Sequence, residues 1–119
     1  MASRKLSDLA PSFRPLVVDF LARLAEARIP VLIVETRRTE AEHQANLNAG
    51  KSWTAHSKHI DGLAIDVAPY KKYELAGKSE VQWNDEATVY QKIGAIGELC
   101  GLKWGGRWKQ KDLVHFEMP

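Results

Sequence analysis

Apolar positions in residues 12–28 recur at spacings of three and four, so Phe13, Leu16, Val17, Phe20, Leu21 and Leu24 share one stripe of a helix. Ser12 stands where it can cap that helix, and Pro30 forbids its continuation. Val31 to Val34 is a β-branched run that predicts a buried strand, ending at Glu35-Thr36-Arg37-Arg38. Thr39 followed by Glu42 makes a capping box for a helix over 39–49, which Gly50 ends. The period then changes to two. Leu63, Ile65 and Val67 share one face of a strand, while Ala64 and Asp66 share the other. Tyr70 to Gln82 is polar, lysine-rich and weakly periodic, which predicts a long loop flanking a cleft. Asn84 or Asp85 caps a third helix, 85–100, carrying Val89, Ile93, Ile96 and Cys100 on its apolar side and stopped by Gly101. The glycine pair in Trp104-Gly105-Gly106-Arg107-Trp108 permits a tight turn. In the last short strand, Leu113, His115 and Glu117 face one way and Val114 and Phe116 the other. These elements sum to an α+β domain, a small antiparallel sheet packed with about three helices.

Composition narrows the reading. At 119 residues and 45% hydrophobic content, the chain is expected to be one domain, 1–119, with no room for a second folded module. A net charge of +2 without a dense basic cluster disfavours nucleic acid. Met1 to Ser12 lacks the apolar core and cleavage site of a secretory signal, and no run reaches the length of a membrane span. The lone Cys100 has no internal disulfide partner, which suits synthesis in a reducing cytoplasm, and core packing is its expected use.

The chemistry concentrates in two stretches. In Ser57-Lys58-His59-Ile60-Asp61-Gly62-Leu63-Ala64-Ile65-Asp66, an imidazole and a carboxylate are separated by a glycine that lets the backbone turn, so His59 can fold back toward Asp66. If the strand around Asp66 pairs with the one around His115, all three side chains meet. Two histidines and one carboxylate leave a tetrahedral zinc ion one open position, the pattern of a catalytic rather than a structural site. Asp112, three residues before His115, is placed to act as the proton shuttle. Glu117, on the same predicted face as His115, is either a partner that fixes a ring tautomer or merely exposed. Ser57 is expected either to orient a ligand or bind a substrate carbonyl, or simply to cap its loop. His56 and Trp53 sit nearby, His56 as a bystander to the ligand set.

The pattern Ser57-x-His59-x-x-Gly62-x-Ala64-x-Asp66, followed by Asp112-x-x-His115-Phe116-Glu117, resembles the zinc peptidases of peptidoglycan grouped as the LAS or M15 family. Gly101-Leu102-Lys103-Trp104-Gly105-Gly106-Arg107-Trp108-Lys109 is similar to the GLxWGGDWK signature of its endolysin-like branch, with Arg107 where an aspartate is usual. The resemblance runs from about Val31 to Met118 and implies a LAS or hedgehog-like fold. It implies Zn2+ held by His59, Asp66 and His115, with Asp112 as the catalytic carboxylate. Arg38-Thr39 occupies the corner where the family carries a substrate-contacting Arg-Ser or Arg-Thr pair, so Arg38 is the expected substrate and oxyanion contact. Arg37 is its alternative, because the doubled arginine blurs the register.

The activity this implies is hydrolysis of an amide in the peptidoglycan stem peptide, an L-alanyl-D-glutamate endopeptidase acting in cell-wall lysis at the end of a phage infection. D-Alanyl-D-alanine carboxypeptidase is the nearest enzymatic alternative, and a non-catalytic zinc-bearing wall-binding module is the alternative of a different class. A monomer, made in the cytoplasm and without membrane insertion, is the simplest expectation.

Overall fold

The period-two run around Asp66 is the middle of a sheet. The computed structural model describes residues 2–51, 57–73, 78–81 and 87–119. Its strands are β1 (Val31–Glu35), β2 (Ala64–Tyr73), β3 (Lys78–Val81), β4 (Lys103–Trp104) and β5 (His115–Glu117). The helices are α1 (Arg14–Glu26), α2 (Glu40–Asn48) and α3 (Ala87–Leu99). All pairings are antiparallel, in the order β1-β2-β5-β4, with β3 paired to the distal half of β2.

Alternation along the central strands separates core from site. Ile65, Val67 and Phe116 are buried beneath α1 and α3, where the Phe20 and Phe116 rings lie 4.6 Å apart and Trp104 stacks on Phe116 at 6.4 Å. Asp66 and His115 point to the opposite face and are register partners across β2 and β5. Helix α3 can lie this close because Gly94 and Gly97 face the Trp104 and Phe116 rings, where any Cβ would collide. An amino-terminal arm completes the wall behind the site. Thr36 N–H donates to the Ser3 carbonyl at 2.7 Å, Ser3 N–H to the Arg37 carbonyl at 2.9 Å, and Ala10 N–H to the Gly62 carbonyl at 2.9 Å. Gly62 has φ +71°, and a Cβ there would lie 2.9 Å from the Ala10 nitrogen.

Several expectations change. Ser12 does not cap α1; Phe13 holds the N-cap position without a side-chain hydrogen bond, and Pro15 occupies the first turn. The strand Val31–Glu35 is half-buried because it lies at the sheet's edge. Residues 70–73 and 78–81, expected within a loop, form an antiparallel pair from Tyr70↔Val81 to Tyr73↔Lys78. Backbone pairing with an outlying strand requires no apolar period, so periodicity gives no signal there. The predicted start of α3 at Asn84 or Asp85 lies outside the described residues, as do Trp53 and His56. The capping box of α2 forms as expected: Glu42 N–H donates to Thr39 Oγ1 at 3.1 Å and Thr39 N–H to Glu42 Oε1 at 2.8 Å.

Candidate metal centre

Three segments bring one candidate ligand each. Asp66 comes from β2 and His115 from β5, aligned by sheet register, while His59 stands on the turn 57–62 between β1 and β2. Their donor atoms all lie within 4.8 Å of one another, the only such His/Cys/Asp/Glu group among the described residues. Asp66 Oδ1 is 3.0 Å from His59 Nε2 and 3.1 Å from His115 Nδ1.

The outer hydrogen bonds decide which nitrogens face the centre. His59 Nδ1–H donates to the buried Thr36 carbonyl at 2.7 Å, leaving Nε2 directed at Asp66. His115 Nε2–H donates to Glu117 Oε1 at 2.8 Å, leaving Nδ1 directed at Asp66. With both rings neutral, three lone-pair donors face one another, and that arrangement is stable only around a cation or with extra protons on the rings. Zinc–nitrogen bonds of about 2.0–2.1 Å put tetrahedral ligands about 3.3 Å apart, a few tenths from the spacings here. The residues present therefore fit a divalent ion of the zinc class.

Among the protein's own charges the site is strongly coupled. Burial would raise the Asp66 carboxyl, but hydrogen bonds from His115 and His59 outweigh it and hold the group well below the usual carboxylate range. Burial would lower His115, yet Asp66 and Glu117 push it up to about 9. Asp112, half-buried, is raised by burial and by the Asp66 charge, against the opposing pull of His115, His59 and Arg38. Its position follows from the glycine turn. The Gly105 carbonyl accepts both Trp108 N–H at 3.2 Å and Asp112 N–H at 3.0 Å, folding the 105–112 loop onto itself, and the Asp112 carbonyl then accepts His115 N–H at 3.3 Å. A Cβ on Gly105 would lie 2.5 Å from the Asp112 carbonyl oxygen and 3.2 Å from His115 Cβ.

Arg38 is turned inward and Arg37 is exposed, donating to the Ile60 carbonyl at 3.2 Å. The Arg38 guanidinium forks onto Glu35 at 2.5 and 2.6 Å and reaches His43 Nδ1 at 3.1 Å, so it is held rigidly beside the site with its charge bearing on Asp112. Ser57 Oγ accepts the His59 backbone N–H at 3.2 Å, so its observed contact is to the ligand's own turn. Arg107 adds no free cation: it forks onto Glu98 of α3 and lies 5.3 Å over the Trp104 ring. Trp104 is core, its Nε1–H donating to the Leu113 carbonyl, whereas half-buried Trp108 packs 5.0 Å from the His115 ring. Sequence reasoning missed the Thr36 carbonyl, because a peptide group carries no residue identity, and missed the clamp on Arg38, although Glu35 at i−3 was a legible signal.

The sequence profile of the M15 peptidases described as D-alanyl-D-alanine carboxypeptidase matches residues 50–118. The L-alanyl-D-glutamate peptidase of Listeria phage A118 is 36% identical over 81 residues, covering 67% of this chain and 27% of the phage protein. The protein of the same name from Escherichia phage T5 is 36% identical over 94 residues, covering 72% of this chain and 64% of its own length. The chain thus spans about a quarter of the first relative and under two thirds of the second. The crystal structure of the Serratia marcescens L-Ala D-Glu endopeptidase ChiX superposes with a TM-score of 0.71 at 28% identity, over 96% of this chain and 83% of that one. Family profile, relatives and fold agree with the convergent ligand set: this chain belongs to the M15 peptidase family.

Proposed function

We propose that the chain is a zinc peptidase that hydrolyses the L-alanyl-D-glutamate amide in the stem peptide of peptidoglycan, and that it acts on the bacterial cell wall. The observation that carries the reading is the convergence of His59, Asp66 and His115, with tautomers preset by Thr36 and Glu117, beside a desolvated Asp112. His59 Nε2, His115 Nδ1 and Asp66 Oδ1 would hold the ion. Zinc so held supplies a Lewis acid that polarises the scissile carbonyl and acidifies water. Asp112 accepts the water's proton and delivers it to the departing amine, a transfer favoured by a carboxyl raised above its ordinary value. Arg38, fixed by Glu35, contributes a cation beside the site, where negative charge develops on the carbonyl oxygen. The two phage relatives and the Serratia enzyme are named for the L-Ala–D-Glu bond, which supports that choice of substrate. Among the described residues no helix is long and apolar enough to cross a membrane.

Mass spectrometry of muropeptides after digestion of purified peptidoglycan tests the reading. The expected products carry a new L-alanine carboxyl end and a new D-glutamate amine. Release of free D-alanine alone overturns it in favour of a D-alanyl-D-alanine carboxypeptidase, the second reading that the family profile's own description supports. Asp112→Asn is expected to keep the metal and lose turnover by about 10²–10⁴-fold, the usual weight of a proton-transfer group. An Asn variant as active as wild type removes Asp112 from the mechanism.

A further inference from the structure

The two imidazoles reach the centre by different routes. His115 is fixed by strand pairing opposite Asp66, whereas His59 stands outside the sheet on its turn. Lys58, its neighbour in sequence, reaches across to β5. Its Nζ lies 3.2 Å from Glu117 Oε2 and also donates to the Met118 carbonyl. The other Glu117 oxygen accepts His115 Nε2–H at 2.8 Å. Both oxygens of one carboxylate are therefore gripped, one by the residue next to the first imidazole and the other by the second imidazole itself. The Glu117 side chain is 11% exposed and that of Lys58 36%, so the pair is sheltered on the glutamate side and open on the lysine side.

We propose that Lys58 is a positioning residue of the metal centre: it orients Glu117, and through it the His115 ring, while locking the His59 turn to β5. The inference rests on the metal reading above and extends it to a side chain that touches neither ion nor substrate. The physical argument concerns torsional freedom. The terminal torsion of a glutamate is broad and roughly two-fold, so a carboxylate held by one donor can rotate away from it. With Lys58 on Oε2, rotation costs a second interaction, and the acceptor for His115 Nε2–H stays in place. A lysine this exposed adds little to global stability. Its effect is instead concentrated on the ligand geometry it controls, as expected of outer partners of metal-binding histidines.

The test is titration of the metal-free full chain with Co2+ and Zn2+, following both affinity and the visible absorption of bound Co2+. Lys58→Met, which keeps the aliphatic stem and removes the charge, is expected to weaken binding by about tenfold and to alter the Co2+ spectrum, the lower end of the range for such partners. Lys58→Arg should recover most of the affinity. Glu117→Gln should match the loss, and the double variant should bind no more weakly than the poorer single one, since both changes break one linkage. Wild-type affinity and spectrum in Lys58→Met, independent additive losses in the double variant, or an arginine no better than methionine would each overturn the proposal. A wild-type chain that binds neither ion overturns the metal reading together with this one, whereas the three preceding results leave the metal reading standing.

Discussion

To bind a metal, His115 would have to surrender a proton that its neighbours favour in the free protein. Among the protein's own charges its pKa is pushed up to about 9, so at neutral pH the ring is a cation held between Asp66 and Glu117. A group raised in the fold stabilises it fully below its unfolded value, near 6.5, and loses that contribution as pH rises through about 9. Metal binding runs the other way, because the ion displaces the proton. Apparent zinc affinity is therefore expected to climb by up to about tenfold per pH unit between 6.5 and 9 and then level, as measured by competition with a chelator. An affinity independent of pH over that range would contradict the assigned protonation. Gly105→Ala should displace Asp112 and His115 together, lowering turnover and metal affinity alike, whereas Asp112→Asn lowers turnover alone. The convergence of His59, Asp66 and His115 was legible in the sequence because their chemistry is carried by side chains at recognisable spacing. Thr36 was not, since only its carbonyl acts; Glu117 was half-legible, since register predicts its face but not its contact with Lys58.

Among the described residues, α1, α2 and α3 end in the same hydrogen-bonded turn. After α2, Lys51 N–H bonds the Asn46 carbonyl and Gly50 N–H that of Leu47; after α3, Leu102 bonds Gly97 and Gly101 bonds Glu98. Gly50 and Gly101 carry positive φ there, and the sequence reading placed both stops correctly. Helix α1 ends identically, with Ile29 bonding Leu24 and Arg28 bonding Ala25, but the residue at φ 60° is Arg28. Arg28→Gly is therefore expected to stabilise the fold by about 1 kcal/mol, read from the urea midpoint at constant m-value. Gly97→Ala should do the reverse. Its methyl would sit 2.5 Å from the Phe116 ring and 3.3 Å from Phe20, and overpacking of this kind costs about 1–3 kcal/mol. Helical periodicity marked α1 and α3 but gave no hint that two of the glycines in α3 are the floor for aromatic rings. In the polar stretch after Pro69, pairing rests on backbone groups that periodicity does not announce, and Gly77, directly before Lys78–Val81, is the one sequence signal for it.

An ion held by His59, Asp66 and His115 would join a loop, a central strand and the last strand of the molecule, and no unfolded chain presents those three groups together. Binding is then coupled to folding. At a free zinc concentration 100 times the dissociation constant, stability should rise by about 2.7 kcal/mol, and chelation should return the unfolding midpoint to that of the metal-free protein. A midpoint insensitive to chelator would mean that the three groups do not grip an ion. The fold class and the placing of Asp66 and His115 on one sheet face were readable because alternation separates them from Ile65, Val67 and Phe116. The role of residues 2–10 was not, because nothing in their pattern announces a partner. Yet Ser3 is bonded to the Thr36 N–H and the Arg37 carbonyl, on either side of the Thr36 carbonyl that orients His59, and Ala10 to the glycine that ends the His59 turn. Nicking or trimming that arm by a protease would leave every ligand in the chain and take away the scaffold they lean on, so a clipped preparation should look intact by ligand count and behave as a poor chelator.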